Sequence, residues 1–112
     1  MQINVGNKII TSKNSSEFET AWMIEDAILV LEHLKSKGTI VLGGDILTEN
    51  LEHNYDSWYY NIDDSQEHQF NVECSIKAAL EYISRYIERN GNAYYVVIVI
   101  DRKQPNSSIL KP

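Results

Sequence analysis

Residues 75–100 read SIKAALEYISRYIERNGNAYYVVIVI, an amphipathic helix and an apolar strand joined at a glycine. Ile76, Ala79, Leu80, Ile83 and Ile87 recur at three- and four-residue spacing and share one helical face, while Lys77, Glu81, Arg85 and Glu88 fall elsewhere. Asn90-Gly91 closes the helix, since both residues tolerate the left-handed backbone of a helix end. In Ala93–Ile100, Val96, Ile98 and Ile100 alternate with Tyr95, Val97 and Val99, so both faces are apolar. A strand of that kind is expected to be covered on both sides.

Upstream, Thr39–Leu42 is β-branched and apolar and predicts a strand, which Asp45-Ile46-Leu47 continues. Gly43-Gly44 between them predicts a bulge or a close backbone approach. Thr48-Glu49-Asn50 turns the chain into a second strand through Leu51–Asn61, irregular near Asn54–Ser57, and Asn61–Glu67 is loop, with Cys74 at the start of the following helix. Before this hairpin, Ile24, Ala27, Ile28, Leu31 and Leu34 mark a first helix, with Glu25 and Asp26 in its first turn and Lys35 and Lys37 in its last. Gly38 is its C-terminal stop and Trp22 lies at its N-terminal edge. Ile3, Val5, Ile9 and Ile10 suggest one short edge strand, Asn14-Ser15-Ser16 a loop, and Asp101–Pro112 a polar tail.

The order α-β-β-α-β predicts an α+β two-layer sandwich: a mostly antiparallel sheet of about three to four strands with both helices on one face. The other sheet face then needs the N-terminal segment, the tail or a partner to cover it.

A chain of 112 residues, 43% apolar and 23% charged, reads as one domain over residues 1–112 with a core large enough to fold unaided. The single cysteine, Cys74, excludes an intrachain disulfide. Met1–Ile10 is too short and too polar for a secretory signal, and the longest apolar run, Tyr94–Ile100, is too short to span a bilayer. The expectation is a cytoplasmic protein. Its net charge of −6 argues against nucleic acid and anionic membranes as partners.

That charge is concentrated. Residues Gly38–Ile76 hold eight carboxylates (Asp45, Glu49, Glu52, Asp56, Asp63, Asp64, Glu67 and Glu73) and neither Lys nor Arg. Tyr55, Trp58, Tyr59 and Tyr60 lie among them. A one-sign block with interleaved aromatics attracts basic partners. The same segment offers no catalytic set. Asp63-Asp64 sits in a loop, where a solvated pair is the simpler reading than acid–base work. His33, His53, His68 and Cys74 show no metal-ligand spacing, so neither metal nor cofactor is expected. There is no G-x-S-x-G, and Leu42-Gly43-Gly44-Asp45 lacks the ending of a phosphate loop.

Several pieces stand in one order: Ala21-Trp22 before Glu25-Asp26-Ala27, then Val41-Leu42-Gly43-Gly44-Asp45-Ile46, then Tyr55-Asp56-Ser57-Trp58-Tyr59, then Ser75, Ala79 and Tyr82-Ile83, and last Tyr95–Ile100. Over roughly Ala21–Ile100 the chain resembles the immunity protein 40 family of bacterial polymorphic-toxin systems. The resemblance implies a small cytoplasmic non-enzyme that binds and neutralises a toxin domain delivered by a neighbouring cell. Trp22, Gly43, Gly44, Asp45, Trp58 and Tyr59 match the family motif, as fold or as contact residues. The acidic block adds a basic toxin, such as a nuclease, and a docking surface of Asp45, Asp56, Trp58, Tyr59, Asp63, Asp64 and Glu67. Two rival readings are a small metal-dependent enzyme using Asp45, Asp56, His53 and His68, and a structural subunit joined to another chain through the last strand.

Overall fold

In the computed structural model, which describes residues 20–102 in full and only the backbone of three short strands before them, the order is β1 (Gln2–Val5), β2 (Lys8–Thr11), β3 (Lys13–Asn14), β4 (Thr20–Met23), α1 (Ile24–Ser36), β5 (Val41–Thr48), β6 (His53–Tyr59), α2 (His68–Asn90) and β7 (Tyr94–Ile100). β1 and β2 form an antiparallel hairpin of their own, where the sequence suggested one edge strand. The Ser15-Ser16 part of the loop signal and the tail from Lys103 lie outside the described residues.

The main sheet runs β3-β4-β7-β5-β6, antiparallel at every step. β3 is two residues long, so four strands form its body. β4 and β5 both run against β7 and are therefore parallel to each other, and α1 makes the crossover between them. α2 makes the same crossover from β6 to β7, over β5. The result is an α+β sandwich in the order β-α-β-β-α-β, with the predicted α-β-β-α-β preceded by β4. Trp22 thus belongs to a strand, in register with Val96, and not to the edge of the helix.

Both helices pack on one sheet face. Ala27, Val30 and Leu31 of α1 and Val72, Ile76, Ala79 and Ile83 of α2 share a core with Trp22, Ile46, Trp58 and Val96 of the strands. The reverse face has a smaller cluster of Ala21, Leu47 and Val97, with Tyr95 and Leu51 against it. Ile83 and Val97 are buried as their patterns require, but Val99 is 44% exposed, so the double cover expected of β7 stops short of its C-terminal end.

α2 begins at His68, placing Cys74 well inside it rather than at its start. Its early turns hold polar residues, and Glu67 at the N-cap makes no side-chain capping bond, so no local signal marked the beginning. His68 instead reaches across to α1's end, its Nε2 2.7 Å from the Gly38 carbonyl oxygen. Ser75, fully buried, accepts from the Val41 N–H at 3.0 Å and donates to the Val72 carbonyl at 3.0 Å, pinning the start of β5 to α2.

Two irregularities shape the sheet. Val41 pairs with Ile100 but Gly43 with Val99, so Leu42 is an extra residue and Gly43 bends through φ 150°, a conformation side chains disfavour. A Cβ on Gly43 would also strike the Trp58 carbonyl. Asp45 pairs with Ser57 but Leu47 with His53, so β6 bulges outward around Tyr55, which is left-handed at φ 60°. The glycine pair and the Asn54–Ser57 irregularity are thus the two bulges that the sequence indicated.

Candidate functional site

β6 is the outer strand of the sheet, and strand alternation sorts its side chains. Ser57 and Tyr59 stand on the reverse face, beside Asp45 and Gly43 of β5. Asp56 and Trp58 turn toward α2. The structure therefore divides the candidate docking residues into three places: Asp45 and Tyr59 on the reverse face, Asp56 and Trp58 on the helix side, and Asp63, Asp64 and Glu67 in the loop before α2. Tyr59 is 83% and Tyr55 96% exposed, whereas Trp58 is 6% exposed and so is a core residue.

Trp58 explains the second glycine. Its indole lies over Gly44 across the β5–β6 pair, and a Cβ there would collide with the ring and with the Val97 carbonyl oxygen. Trp58 stacks on Tyr82 at 5.1 Å, Tyr82 on Tyr86 at 6.1 Å, and Tyr86 meets Tyr94 edge-on at 5.2 Å. Its Nε1–H is buried without an acceptor among the described residues. Of the family-motif residues, Trp22, Gly43, Gly44 and Trp58 are thus packed inside, and Asp45 and Tyr59 reach the surface.

The bulge is locked to α2 by polar contacts. Tyr86 donates its hydroxyl to Asp56 Oδ2 at 2.8 Å and accepts from Asn54 Nδ2 at 2.6 Å. Burial, then the Asp56 carboxylate, holds the Tyr86 phenol well above its ordinary pKa, and burial also raises Tyr60 and Tyr82. For a group whose folded pKa is raised, the linked stability is complete below the unfolded pKa and disappears as pH rises through the folded one. Alkaline unfolding is therefore expected to set in above the ordinary tyrosine range, about pH 10. Tyr86→Phe should flatten that loss, while lowering neutral-pH stability by about 1 kcal/mol. Denaturant midpoints between neutral pH and the alkaline limb check this, and equal slopes for the two proteins would contradict it.

The acidic loop is fastened by Asn71, 2% exposed. Its Oδ1 accepts from the Tyr60 hydroxyl at 2.7 Å and the Asp63 N–H at 2.8 Å, and its Nδ2 donates to the Asp63 and Glu67 carbonyls at 3.1 and 3.2 Å. Every bonding position of the amide is filled. Asp63 in turn accepts from the Ser65 hydroxyl at 2.6 Å and N–H at 3.0 Å, which draws its carboxyl below the ordinary range. Asn71, Asn54 and Tyr86 were not singled out from the sequence. Their only mark was position, since Asn71 and Ser75 are polar residues in step with the apolar stripe of α2.

The metal-site reading gains nothing from the geometry. Asp45 and Asp56 stand on opposite faces, and His68 is committed to Gly38. Among the described residues no three His, Cys, Asp or Glu side chains converge on a metal position. No described helix is long and apolar enough to cross a membrane.

A cleft of about 530 Å³ runs between the helix side of β6 and α2, lined by Trp58, Tyr82 and Tyr86 and by two acids and two bases, Asp56, Glu81, Arg85 and Arg89. No curated protein matches the chain. The sequence model of the family described as Immunity protein 40 matches residues 10–100, which takes in β3, the four main strands and both helices and reaches further toward the N-terminus than the motif pieces do. With that match across most of its length, and with the motif tryptophans and glycines forming one packed unit, the chain belongs to the immunity protein 40 family.

Proposed function

We propose that this protein neutralises a cognate toxin domain by docking against it, not by chemistry, and that the toxin is basic on its docking face. The observation that carries the reading is the outer strand. β6 holds Tyr55 and Tyr59 almost fully in solvent, inside a segment of eight acids and no base. Exposed tyrosines on a rigid strand, ringed by charge of one sign, suit a protein interface in which aromatics anchor and charges steer. Asp45 on the neighbouring strand and Asp63, Asp64 and Glu67 in the loop that follows supply the steering charges, with Asp56 on the helix side. Trp58 acts from within by supporting Tyr59's strand.

Co-expression with the polypeptide encoded by the adjoining gene tests the proposal by survival and by co-purification. Asp63→Lys with Asp64→Lys should lower the association rate and flatten its salt dependence, costing about 1–3 kcal/mol, while Tyr59→Ala should raise the dissociation rate and cost about 2 kcal/mol. If the folded triple variant protects as wild type does, with an unchanged salt slope, the acidic segment is only a solvated surface.

A further inference from the structure

We infer that Tyr55 is a preset anchor: the bulge of β6 holds its ring out for a pocket on the protein partner, and Tyr86 is the residue that positions it. The backbone is strained at this point. Asp45 pairs with Ser57 and Leu47 with His53, so Asn54, Tyr55 and Asp56 together face the single residue Ile46. Tyr55, the middle one, sits at φ 60°, in the left-handed region that bulky side chains avoid. Its neighbours Asn54 and Asp56 are of the types that take that conformation more readily, yet the strain falls on the tyrosine. The same strain at Leu51, φ 63°, is offset, because that side chain packs against the reverse-face cluster of Ala21, Leu47 and Val97. Tyr55 has no such compensation. It is 96% exposed, so the fold gains nothing from an aromatic ring there. Backbone strain of this kind, kept by the structure around it, gathers where a protein binds or reacts.

The surroundings hold the strained turn from both sides. The Tyr86 hydroxyl donates to Asp56 Oδ2 at 2.8 Å and accepts from Asn54 Nδ2 at 2.6 Å, so one hydroxyl on α2 fastens both feet of the bulge. Asn54 Nδ2 also donates across the bulge to Asp56 Oδ2 at 3.3 Å. An aromatic residue fixed in advance loses little freedom on binding, which lets it dominate the affinity of an interface. A ring this exposed has no pocket in its own chain, so the concave side of the contact lies on the partner. The charge around it sets the chemistry of that pocket's rim. Gly38–Ile76 contains eight acids and no base, with Asp56 adjoining Tyr55, and the face of the ring itself attracts cations. The occupant is therefore a protein pocket rimmed by Lys or Arg, in keeping with the basic docking face proposed above. A second copy of this chain would instead bring a second block of eight acids to the contact.

The immunity reading supplies the identity of the partner, so the probe is the polypeptide encoded by the adjoining gene, with binding followed by surface plasmon resonance alongside thermal melting. Tyr55→Gly is expected to move the two readouts in opposite directions. The melting temperature should rise by about 2–4 °C, because glycine takes φ 60° without steric cost and no buried contact is lost. The dissociation rate should rise about thirtyfold. Tyr55→Phe keeps the ring and should bind within about threefold of wild type. Tyr86→Phe should weaken binding about fivefold alone but not in the Tyr55→Gly background, because it acts through the Tyr55 ring. Wild-type binding by Tyr55→Gly, or the same loss from Tyr86→Phe in both backgrounds, would overturn the inference. So would a Tyr55→Gly protein that melts well below wild type, which would make the ring a part of the fold. Tyr55-dependent self-association without the probe would also overturn it, by making a second copy the occupant. If the probe leaves wild type unbound, the immunity reading falls and the anchor with it. If it binds wild type and Tyr55→Gly alike, the immunity reading stands and only the anchor falls.

Discussion

Gly44→Ala is expected to lower the melting temperature of the protein by roughly 10–20 °C. The added methyl group has two obstacles, the Trp58 indole and the Val97 carbonyl oxygen of the neighbouring strand. A ring can tilt, but this one is held between Gly44 and the stacked Tyr82. A backbone oxygen in the central strand can move only if the β5–β7 ladder moves with it. Overpacking of this kind costs about 3 kcal/mol or more, a large part of the roughly 5–15 kcal/mol that holds a domain of this size together. Thermal melting followed by circular dichroism is the direct measure. Adding Trp58→Leu to the variant relieves the ring but not the carbonyl, so it should restore only part of the lost stability. A Gly44→Ala protein that melts with wild type would show that the indole does not sit where it is described.

Asn71→Ala is the second large effect, and it acts on the surface as well as on stability. The substitution strands the Tyr60 hydroxyl and the Asp63 N–H, and removes both donors to the loop carbonyls. Losing a satisfied network of this kind costs about 2–4 kcal/mol. Amides between Asp63 and Glu67 should exchange far faster, because the loop loses its tether to α2. Asn71→Asp keeps the acceptor and loses the donors, so it should fall between. A loss under about 1 kcal/mol, with unchanged loop exchange, would show that Asn71 does not fasten the loop.

The parts of this fold that could be read in advance are those where one residue type carries the signal. The Ile76–Ile87 stripe and the Tyr94–Ile100 run announced a helix and a strand because burial alone dictates them. Gly43-Gly44 announced an irregularity because glycine inside a strand marks a bulge or a close backbone approach, and here Trp58 comes close to both. β4 was hidden, since four residues running straight into α1 contain too little alternation to separate strand from helix entry. The first turns of α2 were hidden because Asn71 and its neighbours are polar, and their burial depends on a loop folded back from before the helix. At the candidate site, the acids and aromatics were visible as composition, and alternation alone set Trp58 and Tyr59 on opposite faces. Which of them looks out follows from the register with β5, which sets Tyr59 beside Gly43 and Trp58 beside Gly44. The edge cleft was not legible at all, because Asp56 and Arg85 are brought together only by the crossover of α2.

The position of β7 in the sheet bears on how the molecule forms. It is the strand shared by β4 and β5, and it is made after both. While the ribosome is still adding residues up to Asn90, the β5–β6 hairpin can close, but β4 has no neighbour on its inner side and both crossovers are open. The apolar surfaces of α1 and α2 are then exposed together on a nascent chain. Completion of the sheet must wait for the central strand and then close two crossovers around it, which lengthens the time that apolar surface stays exposed to aggregation.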